Sequence, residues 1–204
     1  MARTTRWWWI RHAPVTSDGG RIYGQSDIDC DVSDRAAFAA LAASLPQHAV
    51  WVVSNLKRTQ MTARAIREAG LAAPDPIVEP DLAEQHFGAW QGRIRAEVHA
   101  ERHDWRGFWL APARTAPPGG ESFVDLMRRT EGAILRLNER YLGRDIVAVA
   151  HGGTIRAALA LALRLDPEVA LAFSSDNLAL TRLDHIAEQG GEAWRVGGVN
   201  LPPR

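Results

Sequence analysis

The chain has 204 residues, with 24 Lys and Arg against 24 Asp and Glu, a formal net charge of zero and a pI near 7.1. That balance excludes a diffuse basic face for nucleic acid or an anionic membrane, though not a local basic site. The single Cys30 excludes a disulfide framework or a multi-cysteine zinc site, and the length suits one domain over 1–204 whose core needs no cross-links.

Strands and helices then alternate along the chain. Arg6–Ile10 is a short run of large apolar residues that reads as a buried strand and is too short for a signal-peptide core. Ser33 or Asp34 opens an Ala-rich helix that runs through Leu45 and stops at Pro46. Val50–Val53 is a second strand, followed by a helix over Arg58–Ala69 with Gly70 as its stop. Ile77–Glu79 is a weak third strand. Asp145–Ala150 is the clearest strand and Thr154–Leu165 the clearest buried helix, while Leu178–Leu183 and Ala193–Val199 read as late strands near an edge. No apolar run reaches the roughly 20 residues of a membrane helix. The alternation predicts an α/β protein, a three-layer α/β/α sandwich around a mainly parallel sheet, soluble and cytoplasmic, with no nucleic-acid or membrane partner.

Between Asp81 and Gly120 the periodicity weakens. This stretch carries Trp90, Trp105, Phe108 and Trp109 and ends in Ala-Pro-Pro-Gly-Gly before a helix over Phe123–Leu142. It reads as a lid-like insertion with one or two short helices. Ser122 and Asp125 form a capping-box pattern at the start of the following helix. No repeat, low-complexity tract or linker points to a second domain.

Ligands of open parallel sheets bind beyond the carboxyl ends of the strands. The first strand ends in Arg11-His12 and the second in Ser54-Asn55-Leu56-Lys57-Arg58. Glu84 follows the third, and the fourth runs into His151-Gly152-Gly153-Thr154. Two histidines, two arginines and a carboxylate thus arrive at one sheet edge, a set suited to phosphoryl transfer. Guanidinium forks match phosphate oxygens, a neutral imidazole can attack phosphorus, and Gly-Gly at a helix start presents N–H groups to an anion. Glu84 would protonate the leaving oxygen and later activate water. Only Lys57 is a lysine, so 23 of the 24 basic residues are arginines. In so Ala-rich a chain this reads as codon bias, so function is argued from where particular arginines sit and not from their number.

Taken singly, each residue has a plainer reading. A histidine after a strand is often a loop residue, Arg58 fits the solvated first turn of a helix, and His86 competes with Glu84 as the acid.

The ordered motifs are Arg11-His12, Ser54-x-Leu56-x-Arg58 with Thr62-Ala63, Glu84-x-x-Phe87-Gly88-x-Trp90-x-Gly92, Gly120-Glu121-Ser122 and His151-Gly152-Gly153-x-Ile155-Arg156. Together they resemble the histidine phosphatase superfamily, in the branch of cofactor-dependent phosphoglycerate mutases, α-ribazole phosphatase and fructose-2,6-bisphosphatase. The resemblance implies a phosphoglycerate mutase-like fold with His12 as the nucleophile that becomes phosphohistidine. It implies Glu84 as proton donor and a phosphate clamp of Arg11, Arg58 and His151. Gly152, Gly24 of the Tyr23–Asp27 loop and Ser122 join the substrate-binding set, Ser122 together with Glu121 in a supporting role near the pocket. It also implies no metal, no cofactor and a small phosphorylated substrate, and a family tendency toward dimers leaves room for a homodimer.

Three departures stand out. Ala13 replaces the family's glycine after the nucleophile, acceptable only at negative φ. Pro14-Val15 replaces Glu-Thr, leaving Thr16 or Ser17 as substitutes. Asp29-Cys30-Asp31 replaces Pro-Leu-Thr, either shaping the entrance or, the favoured reading, capping the next helix. The length and the Ala13-Pro14-Val15 run favour a phosphomonoesterase, most like α-ribazole phosphatase-type or broad-specificity bacterial members. The alternatives are a phosphoglycerate mutase and, last, a noncatalytic phosphate-sensing module. The insertion's aromatics would wall the substrate pocket or simply pack the insertion onto the sheet.

Overall fold

The computed structural model describes residues 2–101 and 111–203, so the expectations for Trp105, Phe108 and Trp109 lie outside the described residues. Six strands form one sheet, β1 (Arg3–Arg11), β2 (Val50–Val53), β3 (Ile77–Val78), β4 (Asp145–Ala150), β5 (Leu180–Glu188) and β6 (Gly191–Leu201), in the order β3-β2-β4-β1-β5-β6. β3, β2, β4 and β1 are mutually parallel, whereas β5 runs antiparallel to β1, and β6 to β5. The sheet is therefore mixed, with its parallel half carrying the strand ends of interest.

The tryptophan-rich run extends further than its apolar residues. β1 begins at Arg3 because Thr5 continues the alternation, fully buried on the same face as Trp7 and Trp9. Trp7 and Trp9 stack at 4.8 Å, and Trp7 Nε1 donates to Asn138 Oδ1 at 2.8 Å. Alternation also builds the layers. Trp7, Trp9, Val52, Ile146 and Ala148 pack with residues of α4 (Phe123–Arg140) and α5 (Gly152–Leu163). Ile10, Trp51, Val53, Val147 and Val149 pack on the opposite face with residues of α1 (Arg35–Ser44) and α2 (Lys57–Glu68). Each fully buried aliphatic side chain contributes about 1.5–3 kcal/mol.

Asp34 caps α1 by accepting from Ala37 N at 3.0 Å, and Asp31 accepts from Ser33 N. The Asp29–Asp31 departure thus leads into a capped helix start. Ser122 and Asp125 form the expected capping box on α4. α5 starts at Gly152, two residues before the expected Thr154. Leu178 lies outside β5 with φ +62, and β5 and β6 form a hairpin through Gln189-Gly190, with Gly190 at φ +102. Within the insertion lies α3 (Arg95–Ala100). Trp90 is buried with Ile22, Phe87, Val98 and Ala111, so this tryptophan packs the insertion and does not wall a pocket. No helix among the described residues is long and apolar enough to cross a membrane.

Candidate active site

Strand register assembles the site. Arg11 pairs with Ala150 and both Ile10 and Val53 pair with Val149, so β1, β2 and β4 end at one level. The residues just past those ends, His12, Ser54 and His151, are all buried and therefore adjacent. The His12 and His151 rings lie 5.2 Å apart.

His12 is 1 % exposed and pinned by its main chain, which donates to Ala150 O at 3.0 Å and accepts from Asn177 Nδ2 at 2.7 Å. Its Nδ1 lies 2.7 Å from Ala13 O. A carbonyl only accepts, so Nδ1 carries the proton and Nε2 keeps the lone pair. Burial holds the imidazole well below its ordinary pKa, reinforced by the Arg58 and Arg11 charges. The ring is neutral and Nε2 is the nitrogen with a lone pair to offer. Ala13 replaces glycine without strain: its φ is not positive, its methyl is buried, and its N–H donates to Thr62 Oγ1 at 2.9 Å.

Arg58 is fully buried. Nη1 and Nη2 donate to Ser26 O (2.9 Å) and Gly24 O (2.6 Å), and the guanidinium lies 5.0 Å from the centroid of the Tyr23 ring. Gly24 has φ +44, and a Cβ there would approach Gln85 O and Phe87 Cδ2 to 2.9 Å, so only glycine offers this carbonyl. Arg11 Nη1 donates to Ser175 O. His151 Nε2 lies 2.8 Å from Ser54 Oγ; burial, then Arg58 and His12, hold its pKa well below the ordinary value. Arg11 Nε, Arg58 Nε and His151 Nδ1 are buried without a hydrogen-bond partner among the described residues. Buried polar atoms are normally satisfied, and three such nitrogens in the one site suit an anion with several oxygens.

Glu84 stands on the cleft wall. Its Oε1 accepts from Gln85 N at 2.9 Å and its Oε2 from Gly153 N, at the start of α5, at 3.4 Å. A Cβ on Gly153 would overlap Glu84 Oε1. His86, the rival acid, turns Nδ1 to Gly88 N of its own loop at 3.2 Å. The cleft has a volume of about 230 Å³ and is lined by Arg11, Tyr23, Gly24, Glu84, Phe87, Arg95, Gly152 and Arg156. Burial lowers the Arg156 pKa to about 10, which leaves it charged at neutral pH.

The structure thus groups His12, Arg11, Arg58, His151, Glu84, Gly24 and Gly152. Ser122 is the correction: its hydroxyl is engaged with the Asp125 carboxylate and main chain in the α4 cap. Of that motif it is Glu121 that reaches the site's framework, accepting from His86 N and pairing with Arg129. Thr16 and Ser17 are exposed and do not line the cleft. The sequence does not single out Tyr23 and Arg95 of the cleft lining, nor Arg129 and Asn177, which support Glu84 and His12 from behind it, and Arg156 enters only as part of a motif. Of these, Tyr23 and Arg156 carried a signal by standing inside quoted motifs.

Fold and site define an α/β protein that holds a neutral, buried imidazole among guanidinium groups at its parallel strand ends, an arrangement for binding a phosphoryl group. The chain belongs to the histidine phosphatase superfamily (branch 1), whose profile matches residues 7–198. It is 35% identical over 169 residues to a glucosyl-3-phosphoglycerate phosphatase of Mycolicibacterium vanbaalenii, covering 76% of this chain and 73% of that protein. The solved mycobacterial glucosyl-3-phosphoglycerate phosphatase Rv2419c superposes with a TM-score of 0.82 at 29% identity, over 97% of this chain and 99% of the other. The chain spans only 30% of the length of the first curated relatives it matches, among them the bifunctional protein Rv2228c of Mycobacterium tuberculosis, 38% identical over 112 residues, 55% of this chain.

Proposed function

We propose that the protein is a phosphomonoesterase acting on a small phosphorylated metabolite through a phosphohistidine intermediate. The observation that carries this reading is the neutral His12, with Nδ1–H bound to Ala13 O and Nε2 left with its lone pair beside three unpartnered nitrogens of Arg11, Arg58 and His151. His12 Nε2 attacks phosphorus, the P–O bond to the alcohol breaks, and Glu84 gives its proton to the departing oxygen. Arg11, Arg58 and His151 hold the phosphoryl oxygens throughout, where charge spreads in the transition state. Water then attacks phosphohistidine, Glu84 takes its proton, and phosphate leaves with His12 neutral again.

Arg95 and Arg156 extend the positive lining beyond the clamp, which favours a substrate with a second acidic group. A phosphorylated glycerate, the class named for the glucosyl-3-phosphoglycerate phosphatases, has that form. The test is hydrolysis of sugar phosphates, nucleotides, 3-phosphoglycerate and α-ribazole phosphate in EDTA, with 3-phosphoglycerate products analysed for mutase activity. Activity abolished in His12→Ala, with acid-labile, base-stable labelling of the protein, is expected. A strict metal requirement, or full activity in His12→Ala, refutes it.

A further inference from the structure

The segment that carries Glu84 has almost no regular structure. Between the 3-10 turn at Pro80–Leu82 and the next at Gly88–Trp90, its carbonyls have no ladder or helix to satisfy them. Side chains do so instead. Arg129, on the second turn of α4, donates through Nη1 to Asp81 O (2.7 Å) and Ala83 O (2.8 Å), and through Nη2 to Glu84 O (2.9 Å). The same guanidinium grips Glu121 in a fork, Nε to Oε2 at 3.0 Å and Nη2 to Oε1 at 2.6 Å. Glu121 in turn accepts from His86 N at 2.9 Å, and its main-chain carbonyl accepts from Gln85 Nε2 at 2.8 Å. One planar cation and its counter-ion thus reach both flanks of Glu84. Thr154 Oγ1, bonded to Leu82 O and Ala83 O, and Gln25 Nε2, bonded to Glu84 O, complete the support.

We propose that Arg129, paired with Glu121, is the positioning residue for the general acid: it fixes the Glu84 main chain so that the carboxyl faces the leaving oxygen. This rests on the phosphatase reading and goes beyond it by assigning a role to a residue that does not line the cleft. Three of its acceptors are carbonyls and the fourth is a carboxylate in bidentate contact. Lysine, a point charge without the fork, cannot reach them together. Displacing a catalytic group by about 1 Å costs up to about 100-fold.

The readout is the leaving group. An alkoxide must be protonated as it departs and a p-nitrophenolate need not be, so a misplaced acid slows an alkyl ester far more than a nitrophenyl ester. The experiment measures kcat for 3-phosphoglycerate and p-nitrophenyl phosphate with the full chain as wild type, Arg129→Met, Arg129→Lys, Glu121→Gln and Glu84→Gln. The expected result for both Arg129 variants is a fall of roughly 10-fold or more on 3-phosphoglycerate with a several-fold smaller fall on the nitrophenyl ester. Glu84→Gln should show the same pattern more strongly. Both rates come from one sample, so partial unfolding lowers them together and leaves their ratio untouched. If Arg129→Met does not fold, Glu121→Gln, which keeps the acceptor for His86 N while losing the charge, should shift the ratio in the same direction. Parallel losses on the two esters overturn the inference alone and make Arg129 merely structural. The alkyl ester compared is 3-phosphoglycerate or, where that is not turned over, the alkyl phosphate hydrolysed fastest among the substrates above; a wild type that hydrolyses none of these and no nitrophenyl ester overturns the inference together with the phosphatase reading.

Discussion

Gly153→Ala separates catalysis from stability at a single carbon. Gly153 is the second residue of α5 and its φ is not positive, so alanine fits the backbone and gains about 0.5–1 kcal/mol of helix preference. The added Cβ, however, overlaps Glu84 Oε1 and lies 3.0 Å from Leu126 Cδ2. Leu126 gives way by a few tenths of an ångström, a cost on the order of 1 kcal/mol that roughly cancels the gain. The Glu84 main chain cannot retreat, because Arg129 and Gln25 hold it; its carboxylate swings aside instead and abandons Gly153 N. We expect a Tm within about 4 °C of wild type and a kcat for 3-phosphoglycerate lower by about 100-fold. Gly152→Ala is the control. Its Cβ meets the flexible Arg156 Nη1 at 3.0 Å and Arg11 Nε in ordinary contact at 3.8 Å, so it should act on KM through the cleft arginines and lower kcat much less. Thermal melts and steady-state kinetics on the two variants decide the matter. Near-wild-type turnover in Gly153→Ala, or a fall matched by Gly152→Ala, refutes the assignment of Glu84 as the acid held against the start of α5.

Two further outcomes follow from the geometry. His12 and His151 have folded pKa values depressed below the ordinary 6.5, so below that pH the unfolded chain binds protons the folded chain does not. Stability should therefore be full above about pH 6.5 and fall as the pH drops, by up to about 1.4 kcal/mol per pH unit for each histidine. Melts in phosphate-free buffer from about pH 7.5 to about pH 5 check this, and a flat profile, or an unchanged slope in His12→Asn, contradicts it. Ser122→Ala removes the α4 cap at about 1 kcal/mol, which lowers Tm by roughly 2–4 °C; an order-of-magnitude fall in kcat/KM would instead return Ser122 to the substrate site.

The site's centre was legible because it depends on local signals. β2 and β4 are unbroken apolar runs, and His12, Arg58 and His151 stand within a few residues of the strand ends that position them. The mixed half of the sheet was less legible. The Gln189-Gly190 turn that folds β6 back on β5 lies between the two late strands with no stronger signal than its glycine, and Leu178 fits a strand pattern although it turns at φ +62 to donate to Arg11 O. The low helix propensity of Gly152 and Gly153 hides the true start of α5 at Gly152, yet the neighbouring Glu84 carboxylate requires Gly153 to be small. Arg129 was illegible for a different reason. Its partners Asp81, Ala83 and Glu84 lie 45 or more residues away, and on its own helix it follows Arg128, which merely pairs with Asp125 at the surface. Nothing local separates the two.

Several arginines of the framework are held by carboxylates. Arg129 holds Glu121, Arg136 holds Asp81, Arg67 holds Asp75, and Arg182 and Arg195 share Asp184. Arg11 and Arg58 are held by main-chain carbonyls of Ser175, Ser26 and Gly24. A carbonyl fixes the plane of a guanidinium without cancelling its charge, whereas a carboxylate partner would have to be displaced before a phosphoryl group could bind, at a cost of several kcal/mol in a buried site. The uncancelled charge also acts on the histidines: burial depresses the His12 pKa most, and Arg58 and Arg11 depress it further. The same two side chains thus prepare the pocket for an anion and keep the imidazole lone pair free at neutral pH. That combination gives a chain of zero net charge a cationic cleft: carboxylates pair with several framework arginines, while the hydrogen bonds of the two clamp guanidiniums among the described residues go to carbonyls.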